Sequence, residues 1–139
     1  MIVGYIRMCT QAEDRDREKA LHQWGAEKLY WEKDSSRSWV RPAYEEMAAP
    51  LQPGDTVVVS GYEHNAVTRP LRAIPGVTVR VADSPLFDRA AALEAFRRAL
   101  TPEVRAAVCT HVSNVFGFIL PIEDIAALCR SRGIPLIVD

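Results

Sequence analysis

The 139 residues carry 17 Lys and Arg against 18 Asp and Glu, a formal charge of −1, with 48% hydrophobic and 25% charged side chains. That length supports one ordinary domain with a proper core, and the mixture is that of a soluble globular chain rather than a disordered or fibrous one. The near-neutral balance leaves no basic stripe of the kind a duplex-binding module carries, which argues against a stand-alone nucleic-acid role.

The chain opens on an apolar run, Ile2 to Ile6, suited to a buried strand. The opening MIVGYIRMCT has no charged leader ahead of a long apolar run, and no window approaches the ~20 apolar residues that span a bilayer. The expectation is a cytoplasmic protein with no signal peptide and no membrane partner. Three widely spaced cysteines, Cys9, Cys109 and Cys129, fit a reducing compartment better than a disulfide framework, and their spacing suggests no zinc site. EDRDREKALHQWGA predicts a helix, acidic in its first turn, with Ala20, Leu21 and Trp24 on one face and Gly25 as its stop. KLYWEKD predicts a second strand and SSRSWVR a loop. Pro42 then stands where a helix would begin, with Tyr44, Met47, Ala48 and Leu51 at helical spacing.

QPGD predicts a turn and TVVVS the third strand. AVTRPLRAI predicts a short helix, interrupted or started by Pro70. VTVRVAD predicts a strand, DRAAALEAFRRAL a helix with Leu93, Phe96 and Leu100 on one face, and RAAVCTHVS a strand. PIEDIAALCRSRG predicts a helix between Pro121 and Gly133, and IPLIVD a last, nearly all-apolar strand. Apolar strands alternating with helices predict an α/β fold, a mainly parallel sheet flanked by helices as in a Rossmann-like three-layer sandwich. A possible seam falls near QPGD. The apolar last strand, if it ends the chain, would leave a sheet edge exposed and favour self-association, a homodimer for instance.

In open parallel sheets ligands bind beyond the carboxyl ends of the strands. Three strands end in polar groups, VVVSGYEHN, AVCTHVSN and PLIVD, which offers His64, Asn114 and Asp139 as one convergent set. Each also has an ordinary structural role open to it. His64 could be a hydrogen-bonded loop residue, Asn114 turn chemistry ahead of Gly117, and Asp139 a cap for a following helix.

From about Gln52 to Asp139 the sequence resembles the large domain of class V (fold type I) aminotransferases, the group that contains cysteine desulfurases. The matching stretches are GDTVVVSGYEHNAVTRPL, THVSNVFGFILPIEDIAALCRSRGI and PLIVD. The resemblance implies pyridoxal 5'-phosphate as cofactor, with His64 against the face of its ring, Asn114 near the ring's 3-oxygen and Asp139 paired with the protonated pyridine nitrogen. That ion pair would keep the ring cationic and able to accept electrons from a substrate carbanion. The family also needs a Schiff-base lysine, placed well beyond the aspartate. The lysines here are Lys19, Lys28 and Lys33, none in the matching segment, and an arginine stays protonated and cannot substitute. The family's phosphate-binding segment ahead of the GD strand is absent too. Covalent attachment is therefore not expected in this segment. The expectation is a chain inactive alone, taking a small amino-acid substrate only if completed by further C-terminal sequence.

The first 59 residues resemble the start of the resolvase/invertase catalytic domain of serine recombinases. Tyr5, Arg7, Arg41, Pro42, Gly54 and Asp55 match its pattern of a Tyr-x-Arg strand, an Arg-Pro pair and a Gly-Asp strand. In that family a serine attacks a DNA phosphodiester while arginines stabilise the phosphoryl oxygens. Here Cys9 stands at the serine position, so the implied set is Arg7, Cys9 and Arg41, with DNA as partner only on this alternative. The later Leu-Asp-Arg-x-x-Arg segment is replaced by GYEHNAVTR, leaving only a loose echo in Glu63 and His64. Arg7 and Arg41 as surface charges and Cys9 as a small buried hydrophobe is the ordinary alternative. The organisation read from sequence is thus a resolvase-like segment over 1–53 and a partial aminotransferase-like domain over 54–139, incomplete relative to either family. A non-catalytic α/β module is the remaining reading.

Overall fold

Strands form where the chain runs apolar or β-branched, and helices where apolar residues recur every three or four positions. The computed structural model of the protein describes residues 2–7, 11–23, 25–32, 46 and 51–139, with 2–7 described in their backbone. In chain order the elements are β1 (Ile2–Arg7), α1 (Gln11–Gln23), β2 (Ala26–Glu32), β3 (Thr56–Ser60), α2 (Asn65–Ala73) and β4 (Thr78–Ala82). There follow α3 (Arg89–Ala99), β5 (Val104–Cys109), α4 (Ile122–Ser131) and β6 (Leu136–Val138). The helix expected after Pro42 and the loop SSRSWVR fall outside the described residues, Glu46 excepted, as does Trp24.

The six strands form one sheet in the order β2-β1-β6-β5-β3-β4, and every pairing is parallel. Parallel neighbours need crossovers, and right-handed crossovers dictate which face each helix covers. Three connections, β1 to β2, β4 to β5 and β5 to β6, step one way along the sheet. The connection from β3 to β4 steps the other way. Among the described helices, right-handedness therefore puts α1, α3 and α4 on one face and α2 on the other.

The core divides accordingly. Val58, Ala107, Cys109, Leu136 and Val138 pack with Leu21 of α1, Phe96 of α3 and Ile125 of α4. The intervening residues Val57, Val59 and Val108 pack with Val67 and Leu71 of α2. This is the period-two alternation of a strand buried on both faces. Val57, Val58 and Val59 are 0%, 0% and 1% exposed, and burial of such a side chain stabilises by about 1.5–3 kcal/mol.

Two expectations are corrected. First, α2 runs straight through Pro70 instead of breaking or starting there. Proline removes the bond to the carbonyl four residues back, but that residue, Ala66, is exposed. Val67 and Leu71, one turn apart, hold the helix to the sheet. Second, the last strand is not an edge. β6 lies between β1 and β5, and the edges are β2 and β4. A strand apolar on both faces belongs in the interior of a two-sided sheet, so the composition of IPLIVD argues for the centre. Among the described residues no helix is long and apolar enough to cross a membrane.

Candidate functional site

The sheet has a switch point between β3 and β5. These strands are neighbours, yet β3 leads outward to β4 while β5 leads the other way to β6. Their departing loops diverge and leave a crevice at the carboxyl edge, the place where open α/β sheets bind ligands.

The loop leaving β3, Gly61 to His64, is fastened on both sides of this crevice. Toward β4, the Gly61 amide donates to the Ala82 carbonyl at 3.2 Å and the Tyr62 hydroxyl donates to the Ser84 carbonyl at 2.6 Å. The Tyr62 ring also meets the Phe118 ring edge-on, with centroids 5.2 Å apart. Toward β5, Glu63 Oε1 accepts from the Thr110 amide at 2.5 Å. The same oxygen accepts from the Ser60 hydroxyl at 2.5 Å. Glu63 Oε2 is sealed from solvent without a hydrogen-bond partner. Burial pushes the Glu63 carboxyl up to about 7, against the two hydrogen bonds that favour its charged form, and the negative charge of Asp139 pushes the same way as burial.

His64 comes next and caps α2, its Nδ1 accepting from the Ala66 amide at 3.1 Å. The acceptor role at Nδ1 places the proton of the neutral ring on Nε2. The ordinary role open to His64, a hydrogen-bonded loop residue, is thus occupied, and the residue is nonetheless exposed. A histidine cap here replaces the usual Ser, Thr, Asn or Asp.

Beyond β5 the chain makes a narrow turn. Val112 bridges Ile119 antiparallel, and the Ser113 amide donates to the Phe118 carbonyl at 2.9 Å. Asn114 is exposed in that turn, three residues before Gly117. Asp139 follows β6 directly. Its amide donates to the Cys109 carbonyl at 3.2 Å, and its carbonyl accepts from the His111 amide at 2.9 Å. Burial, with a smaller contribution from Arg89, holds the His111 imidazole below its usual range.

His64, Asn114 and Asp139 therefore follow β3, β5 and β6, three strands that end side by side on one edge of the sheet. Backbone and carboxylate hydrogen bonds join the three segments to one another. Glu63, which the sequence offers only as a loose echo of the recombinase segment, joins them together with Tyr62 and Thr110, to which the sequence assigns no role. The signal for Glu63 was present: a carboxylate three residues after a serine, directly beyond five buried strand positions. Arg7 ends β1 on the same edge, but its side chain lies outside the described residues, as do Cys9 and Arg41 altogether. Cys109 and Cys129 are free and buried. Burial raises the Cys109 thiol well above its ordinary value and pushes that of Cys129 up to about 12. Neither is a nucleophile at neutral pH. Among the described residues no group of His, Cys, Asp and Glu is arranged to hold a metal ion.

A probable cysteine desulfurase of Xylella fastidiosa (strain Temecula1) is 39% identical to the chain over 105 residues, 73% of this chain and 23% of that protein. A cysteine desulfurase of Salmonella newport (strain SL254) is 33% identical over 93 residues, 64% of this chain and 22% of that protein. The chain thus spans less than a quarter of the length of these two relatives. Among solved structures, a cysteine desulfurase of Escherichia coli superposes with a TM-score of 0.59 at 26% identity, covering 67% of this chain and 24% of that one. A cystine C-S lyase in complex with cysteine persulfide shares the fold, with a TM-score of 0.56 at 24% identity, over 64% of this chain and 26% of that one. The family model for aminotransferase class-V matches residues 17–139, from within α1 to the residue after β6, and this chain belongs to that family.

Proposed function

We propose that this chain forms the ring-holding wall of a pyridoxal-phosphate site in a cysteine-desulfurase-like enzyme acting on a small amino acid, and that it does not turn over on its own. What carries the reading is the joined edge: three polar side chains follow three adjacent parallel strands at a switch point, on loops tied to one another. The exposed His64 imidazole, already oriented by its bond to the Ala66 amide, would lie against the ring face. Asn114 would offer its amide to the ring's 3-oxygen.

Asp139 would face the pyridine nitrogen. Its negative charge is felt at Glu63 across the crevice, so a protonated nitrogen there is the complementary group. When bound, the cofactor would supply an electron sink for a substrate carbanion. The donor set therefore fits the ring. It does not supply the covalent anchor. Lys28 lies on the edge strand β2, 3.7 Å from Glu46 and with its ammonium 4.3 Å above the Tyr30 ring. Four strand spacings, about 19 Å, separate β2 from β3.

The test is a titration of the chain with pyridoxal phosphate, followed by absorbance. Reversible binding is expected, weakened about tenfold, or ~1.4 kcal/mol, by His64→Ala and by Asp139→Asn. Unchanged affinity in both variants would remove the pocket. Formation of alanine from cysteine by this chain with added cofactor and a thiol reductant, which carries the sulfur off as sulfide, would overturn the claim that it does not turn over.

A further inference from the structure

We propose that Glu63 is the positioning residue of the crevice, its Oε1 accepting the hydrogen bond that fixes the His64 turn to the end of β5. The consequence for pyridoxal phosphate rests on the reading above; the clamp itself does not.

The geometry carries it. One oxygen accepts both the Ser60 hydroxyl and the Thr110 amide, each at 2.5 Å. Ser60 ends β3, and Thr110 directly follows β5. The bond to Thr110 spans 47 positions of sequence and crosses the switch point itself. His64 is the adjacent residue, so a shift of Glu63 moves the cap of α2 with it. On the other side the same loop is held by Tyr62 to Ser84 and by Gly61 to Ala82. Removing the Glu63 bond would leave only ring packing, Tyr62 against Phe118, holding the loop on the β5 side, with no hydrogen bond to fix its position there.

The groups facing Glu63 sort by element. Ser60 on its own loop and the Thr110 amide donate to it, Asp139 after β6 repels its charge, and the Cys109 thiol of β5 is buried beside it. None of these is a cation. Oε2, meanwhile, lacks any partner. A carboxyl so placed holds a proton more tightly than an exposed one, and in its neutral form it still accepts through Oε1. The clamp therefore works without charge, and glutamine reproduces it.

The test is amide hydrogen exchange and chemical shift by NMR on the ligand-free chain, with pyridoxal-phosphate affinity measured alongside at pH 6. Wild type is expected to show Thr110 and Ala66 amides protected, and a Thr110 amide shift that titrates near pH 7. Glu63→Gln is expected to keep both amides protected, to abolish that titration and to bind the cofactor within about twofold of wild type. Glu63→Ala is expected to exchange both amides at least tenfold faster and to weaken the cofactor about tenfold. Glu63→Ala with exchange unchanged at both amides would overturn the proposal. So would a Thr110 titration that persists in Glu63→Gln, which decides the matter even where Glu63→Ala fails to fold. Absence of cofactor binding by wild type would sink the cofactor reading, while the exchange and titration data would still decide the clamp.

Discussion

Glu63→Gln should change how stability depends on pH, and by an amount the structure sets. The carboxyl is raised from 4.5 to about 7 on folding, chiefly by burial. A group whose folded value lies above its unfolded value contributes its full stabilisation below the unfolded value and loses it as pH rises through the folded one. The difference, 7 minus 4.5, is 2.5, which at 1.36 kcal/mol each is about 3 kcal/mol lost between pH 4.5 and pH 8. Glutamine matches the neutral form and has no such loss. Urea unfolding of both proteins between pH 4.5 and pH 8.5, followed by circular dichroism, isolates the effect, because titrating groups that do not interact with Glu63 cancel in the difference, leaving Glu63 and its coupling to Asp139 and Cys109. The two proteins should be about equally stable at pH 4.5, with the glutamine variant ahead by about 3 kcal/mol at pH 8. That is a large part of a typical domain's 5–15 kcal/mol. A stability difference that does not change with pH would refute the burial of this carboxyl.

His64→Ser should separate the two roles of His64. A serine keeps the cap on α2 and with it the stability, whereas His64→Ala should cost about 1 kcal/mol by thermal or urea unfolding; both variants should weaken pyridoxal phosphate. Gly76 and Gly133 both have positive φ, but a Cβ at Gly76 would sit 2.7 Å from Pro53 Cβ and 2.9 Å from its Cα, while one at Gly133 meets nothing. Gly133→Ala should therefore cost about 1 kcal/mol for its backbone alone, and Gly76→Ala at least ~2 kcal/mol more, because Pro53 has to move. Equal costs would mean that the turn at Gly54 yields freely. Cys109 and Cys129 should resist alkylation in the folded chain at pH 8 and react once it is unfolded, as peptide mass mapping would show.

Much of this architecture is visible in the amino-acid order. TVVVS, RAAVCTHVS and IPLIVD announce interior strands, and Asp88 ahead of an alanine-rich run marks the start of a helix, where its side chain accepts from the Ala91 amide at 2.8 Å. What local pattern does not carry is partnership across distance. The Tyr62 hydroxyl finds Ser84 22 residues away, and Arg80 binds the Ala99 carbonyl at 2.8 Å and the Thr101 hydroxyl at 2.6 Å from the far side of α3. These contacts depend on strand order, which periodicity leaves open. The same gap explains the misplacement of β6: its composition says buried on both faces, and only the crossover pattern says between which neighbours. His64 was singled out for its ring, yet the bond visible in the structure uses its nitrogen as a cap, which a search for Ser, Thr, Asn or Asp overlooks.

The position of β6 has a consequence for assembly. β1 with β2 on one side, and β5 with β3 and β4 on the other, touch the same three-residue strand, Leu136–Val138. A nascent chain therefore carries two half-sheets with bare facing edges until those three residues emerge from the ribosome. The late-made strand acts as a keystone, and topologies that depend on such long-range closure fold slowly and expose sticky intermediates meanwhile.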